Sequence, residues 1–154
     1  MRMTFAEQLA SLRRTVRRHL SERLGGRTSR PITQLLALKA ISEGVRNQGS
    51  LAERLMVDAP AASRLVERLA EDGLVRRMAG EDRRCVRLEL TPEGEVELGL
   101  LRETLRELDG ELLQYLPEAE LAELQRLMAK LQRGLAAHPQ GTVEPGSSEG
   151  CGGD

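Results

Sequence analysis

Residues 69–94 read LAEDGLVRRMAGEDRRCVRLELTPEG, and the spacing of apolar residues changes inside this stretch. Up to Asp72-Gly73 the apolar residues recur at helical intervals, whereas Val86-Arg87-Leu88-Glu89-Leu90 alternates apolar with polar. A period of two over a short run marks a half-buried strand. The pattern predicts strands over residues 74–78 and 86–90, paired as a hairpin across Ala79-Gly80-Glu81-Asp82-Arg83-Arg84. Thr91-Pro92-Glu93-Gly94 then opens a helix: the Thr hydroxyl can satisfy an orphan amide, and Pro at the first helical position sacrifices no hydrogen bond.

Upstream, Ser50-Leu51-Ala52-Glu53 reads as a capping box that starts a short helix ending near Met56 or Val57. Asp58 caps a second helix with Pro60 in its first turn, which runs through Leu65, Val66 and Leu69 to the stop at Asp72-Gly73. Two capped helices joined by a three- or four-residue turn form a helix-turn-helix, and a hairpin directly after it is a wing. Before them, Ile32 to about Ser42 is a helix rich in Leu35, Leu36, Leu38 and Ile41, expected to be buried on most sides.

Downstream, Leu98, Leu101, Leu105, Leu108, Leu112 and Tyr115 step by three and four along one long helix, until Pro117 breaks it. This is a heptad seam, expected to face a partner chain or the first helix. A last helix carries Leu121, Leu124, Met128, Leu131 and Leu135, and the first, from about Thr4 to Leu24, carries Phe5, Leu9, Leu12, Val16, Leu20 and Leu24. The expected fold class is all-α with a small β-hairpin wing. A single domain spans residues 1–138, with the winged helix-turn-helix at 31–94 and dimerisation helices at 5–24 and 95–136. Residues 139–154 hold five Gly, two Pro and three acids beside one Val, and read as a disordered acidic tail.

Composition narrows the function. The chain has 154 residues, 40% of them hydrophobic, with Phe5 and Tyr115 as its aromatics and no Trp, so its core must be aliphatic, as suits packed helices. Apolar runs fall short of the roughly 20 residues of a membrane span, and no hydrophobic stretch follows Arg13, Arg14, Arg17 and Arg18, so a cytoplasmic protein is expected. Cys85, Cys151, His19 and His138 show no metal-ligand spacing. Neither a Ser/His/Asp nor a Cys/His constellation is apparent, so no cofactor, metal or catalytic residue is assigned and an enzyme is not expected. A net charge of -1 conceals polarity: residues 1–39 sum to +7 and residues 95–138 to -4.

The string from Asp82 to Gly94 closely resembles the D-x-R-x-x-x-L-x-L-T-x-x-G wing signature of MarR-type regulators, the multiple antibiotic resistance regulator family. Leu69 to Arg77 is similar to that family's L-x-x-x-G-L-V-x-R segment, and the resemblance covers roughly residues 5–136. It implies a dimeric winged helix-turn-helix transcription factor that binds double-stranded, pseudo-palindromic DNA, usually as a repressor released by a small ligand or by oxidation.

On the second helix of the helix-turn-helix, Ser63, Arg64, Glu67 and Arg68 share a face opposite Leu65, Val66 and Leu69. Ser63 and Arg64 match the family's base-contacting stretch, and Arg64 is expected to meet a guanine. In the wing the resemblance implies that Asp82 holds Arg84 for the minor groove while Arg83 adds a phosphate or groove contact. Ser50, at a helix N-terminus, is placed for a phosphate, and Ala61 or Ala62 for a thymine methyl. Small apolar groups at Ala59, Ala61 and Ala62 depart from the Ser or Thr common in the family, so groove shape is expected to carry part of the specificity.

Arg13, Arg14, Arg17 and Arg18 read as a solvated face or as partners for the downstream acids. A second reading is a pocket for an anionic or lipophilic effector, with Arg14, Arg18 and His19 as its candidates. Two further readings stand beside DNA regulation by ligand. In one, the heptad seams make a helical protein-interaction module. In the other, Cys85 senses oxidants, its thiolate favoured by Arg83, Arg84 and Arg87 though without a fixed resolving partner.

Overall fold

The computed structural model describes residues 2–80 and 86–137. The expectations placed on Asp82, Arg83, Arg84, Cys85 and the tail from residue 139 lie outside the described residues. The element order is α1 (Phe5–Leu24), α2 (Ile32–Ser42), α3 (Gln48–Leu55), α4 (Ala59–Glu71), β1 (Val75–Ala79), β2 (Val86–Leu90), α5 (Pro92–Leu112) and α6 (Glu118–Ala136). This is a mostly helical winged fold with one antiparallel hairpin, registered so that Val75 faces Leu90 and Arg77 faces Leu88.

The chain divides into two compact units, Met1–Glu107 and Leu108–Asp154. The first is built on a core of Leu24, Leu35, Leu38, Ile41, Leu51, Val66, Leu69, Leu74, Leu88, Leu98 and Leu101, each at most 2% exposed. At about 1.5–3 kcal/mol for each large aliphatic side chain removed from water, this cluster is the chief stabiliser of the unit. α2 supplies three of these residues and buries most of its faces, as its composition predicts.

Two expectations for the long helix need correction. Leu98 and Leu101, the first residues of the seam expected to face a partner or α1, are fully buried in the core of the first unit together with Leu24 of α1, so they are not open to a partner chain. The winged unit is large enough to enclose them because the start of α5 is pressed against the junction of α4 and β1. Tyr115 lies outside the helix and is 79% exposed: α5 ends at Leu112, and the chain turns through residues 113–115 before Pro117 begins α6.

The stripe on α1 is divided. Leu20 and Leu24 are buried, whereas Phe5, Leu9 and Leu12 are 62%, 41% and 50% exposed. α6 buries none of its residues and exposes Leu124, Met128, Leu131 and Leu135.

Candidate nucleic-acid interface

The helix-turn-helix is assembled by its caps. Asn47, not Ser50, begins α3: its Oδ1 accepts from the Ser50 backbone N–H at 2.8 Å, and the cap lies three residues earlier than the expected one. Asn at the cap does what the Ser50 hydroxyl was expected to do, so Ser50 sits inside the first turn, half-buried. α4 starts as its sequence predicts, with Asp58 Oδ1 accepting from the Ala61 N–H at 2.7 Å and Pro60 in the first turn.

α3 ends in a Schellman motif. Met56 N–H donates to the Glu53 carbonyl at 3.2 Å and Val57 N–H to that of Ala52 at 3.0 Å. The position that closes the motif is left-handed, with φ 54° at Met56. α4 ends the same way with Gly73 at φ 71°: Gly73 N–H reaches the Ala70 carbonyl and Leu74 N–H that of Leu69 at 2.9 Å. The buried pair Leu69 and Leu74 seals this turn, which explains why the string needs Leu, then Gly-Leu four residues on.

On α4, Arg64, Glu67 and Arg68 are exposed and Ser63 and Ala61 half-buried, while Val66 and Leu69 face the core. Arg64 makes no hydrogen bond or ion pair among the described residues. Ala62 is fully buried and cannot meet a base, which leaves Ala61 for that contact. Arg68 Nε donates to Asp72 Oδ2 at 3.1 Å, one helical turn along, rather than pairing with Glu67 or Glu71.

The wing is anchored through Thr91. Its backbone N–H donates to the Leu74 carbonyl at 3.0 Å, its Oγ1 donates to the Gly73 carbonyl at 2.6 Å, and it accepts from the Gly94 N–H at 3.1 Å. Gly94 lies so close to β1 that a Cβ there would stand 2.1 Å from the Leu74 carbonyl oxygen. The T-x-x-G string therefore welds α5 to the wing base. Arg46, just before α3, adds its carbonyl to the edge of β2, accepting from the Leu88 N–H at 2.8 Å. On the outer face of the hairpin Arg76 stands opposite Glu89 and Met78 opposite Arg87, all exposed.

Away from this face, a cleft of about 160 Å³ runs between α1, α2 and α3, lined by Arg13, Arg17, Lys39, Glu43, Arg54 and aliphatic side chains. Arg17 Nη2 donates to Thr33 Oγ1 at 3.0 Å. Glu43 accepts from Lys39 and, at 2.5 Å, from Arg54; the Lys39 hydrogen bond, with the charges of both cations, holds its carboxyl below the ordinary 4.5. Arg14, Arg18 and His19, the sequence candidates for an effector, are exposed and do not line this cleft. The helical period could have separated Arg13 and Arg17 from their neighbours, but only the packing of α2 shows which pair it covers. Among the described residues no group of acids, His and Cys can hold a metal, and no helix is long and apolar enough to cross a membrane.

Comparisons with known proteins agree with this geometry. A family model described as MarR family matches residues 28–84. The transcriptional regulator BldR from Sulfolobus solfataricus is 31% identical, with a TM-score of 0.69 over 85% of this chain and 91% of its own. Wild-type MarR from E. coli, in its apo form, is 25% identical with a TM-score of 0.74, covering 85% of this chain and 98% of that one. The M. tuberculosis transcriptional regulator MOSR, solved in complex with DNA, is 26% identical with a TM-score of 0.68 over 90% of this chain and 100% of its own.

Proposed function

The chain belongs to the MarR family of winged-helix, DNA-binding transcriptional regulators, and from that premise we propose that it is a homodimeric repressor of a pseudo-palindromic operator, released by a small anionic effector. The observation that carries the reading is the outward face of α4, where Arg64 is exposed and unpaired among the described residues beside a wing welded to the same helix. A guanidinium free of internal partners can give two parallel hydrogen bonds to a guanine edge, the commonest specific contact in the major groove. Arg83 and Arg84 extend the contact into the adjacent minor groove with Asp82 steadying Arg84, Ser50 and Arg68 meet phosphates, and Ser63 and Ala61 lie against bases.

Dimerisation is supported by apolar residues left open to water on α1 (Phe5, Leu9, Leu12) and, separately, on α6 (Leu124, Met128, Leu131). Large contiguous apolar faces on a helix call for a partner, and a second copy presents two half-site readers at once. The effector is assigned to the cleft lined by the four cations Arg13, Arg17, Lys39 and Arg54 and by one carboxylate, that of Glu43. A carboxylate or phenolate with an apolar body suits that lining. The protein acts as a regulator and not as an enzyme, in the cytoplasm beside its DNA.

Selection of genomic fragments by the purified protein at about 150 mM salt tests the proposal, because non-specific phosphate attraction is then weak. The expected result is enrichment of inverted repeats whose half-sites lie about one helical turn apart. A folded dimer that enriches no fragment overturns it in favour of a helical interaction module.

A further inference from the structure

The turn between α1 and α2 is tied by polar contacts to both α4 and α5. Arg27 grips Glu107 through Nη2, with both carboxylate oxygens within 2.8 Å, and donates to Thr104 Oγ1 at 3.2 Å. Thr28 Oγ1 donates to Glu97 Oε2 at 2.8 Å and accepts from the Arg30 backbone N–H at 3.1 Å. Arg30, three-quarters buried, reaches in two directions: Nη1 donates to Asp72 Oδ2 at 2.5 Å, and Nε lies 3.8 Å from Glu97 Oε1.

Asp72 Oδ2 is the oxygen that also accepts from Arg68 Nε. One carboxylate oxygen thus joins an enclosed arginine, fixed from α5 and the α1–α2 turn, to an arginine 64% exposed on the outward face of α4. Arg68 spends only its Nε on this bond, and its two terminal nitrogens, the fork that fits a phosphate, make no other bond among the described residues.

We infer that Arg30 and Asp72 are positioning residues for DNA binding, and that they hold the Arg68 guanidinium in advance in the orientation in which its terminal nitrogens meet a backbone phosphate. The inference rests on the DNA-binding reading above and adds to it a named device. A long side chain ordered before association avoids the cost of ordering it at the interface, worth roughly 2- to 10-fold in affinity for each protomer.

The test is a cycle of full-length variants, each checked by circular dichroism at the assay temperature, titrated against the selected operator over a range of salt. Arg68→Ala is expected to weaken binding about 10-fold and to lower the salt slope by about one for each protomer, as loss of a phosphate contact does. Arg30→Gln is expected to weaken binding roughly 2- to 10-fold for each protomer, yet to cause no further loss in the Arg68→Ala background. If Arg30→Gln does not fold, Asp72→Asn, which keeps the shape of the side chain, takes its place with the same expectation. Equal losses in both backgrounds, or an Arg68→Ala variant that binds like the parent, overturn the inference while leaving the DNA-binding reading intact. A parent that binds no duplex overturns both.

Discussion

Arg64 and Arg68 sit one turn apart on α4 and differ in what holds them. Arg68 is tethered to Asp72, whereas Arg64 has no partner among the described residues. Under the proposed function, removing Arg64 is therefore expected to cost the folded protein little and the complex much. We expect Arg64→Ala to leave the melting temperature unchanged, to lose about 1–3 kcal/mol of operator affinity and to relax preference at one base pair, read by titrating single-base operator variants. Glu43 makes a different prediction. Its carboxyl is held below 4.5 by the Lys39 hydrogen bond, followed by the charges of Lys39 and Arg54, so its contribution is fully present above that value and lost as pH falls through the folded one. Glu43→Gln should melt below the parent near neutrality and with it well below pH 4.5, when thermal scans of the two are compared across pH. The effect is small, because both cations are partly open to solvent.

At the scale of elements, three helices end in the same motif with different residues. Gly44 closes α2 and Gly73 closes α4, but Met56 closes α3 with a left-handed backbone and a side chain 68% exposed. A non-glycine residue there carries about 1–2 kcal/mol of strain, and its side chain has little packing to lose. Met56→Gly is expected to stabilise the protein by up to about 1 kcal/mol in urea unfolding, the added freedom of the unfolded chain offsetting the rest. Gly94 behaves oppositely. Its Cβ would enter the Leu74 carbonyl, and that oxygen is pinned by the Thr91 N–H, so neither side can yield. Gly94→Ala should destabilise by at least about 2 kcal/mol in the same assay and part the wing from α5. The helix and strand periods, with Asp58, Pro60 and Thr91, were legible as local signals because each acts within four residues. The start of α3 was not, since Asn47 and Ser50 are both good caps and only the folded backbone decides between them.

For the whole molecule, the exposed apolar residues of α1 and of α6 support the proposed homodimer. Leu12→Glu is expected to shift the protein from dimer to monomer in light scattering at micromolar concentration, with helix content kept in circular dichroism and operator affinity lost, since the operator offers two half-sites. What the sequence alone determined is the order of elements and the class of fold. Those follow from apolar spacing, from caps and turns whose residues act on near neighbours, as Asp58 does on Ala61, Thr91 on Gly94 and Leu69 on Leu74, and from the pattern of the wing string. What only the tertiary structure decided are the pairings between distant residues. Leu98 and Leu101 have the spacing of a dimer seam yet complete the core of their own chain. Arg13 and Arg17 line a cleft that their neighbours Arg14 and Arg18 do not. Arg30 meets Asp72 across 42 residues. A periodic stripe states that a helix has an apolar or charged face; which surface covers that face depends on the packing of elements brought together from far along the chain.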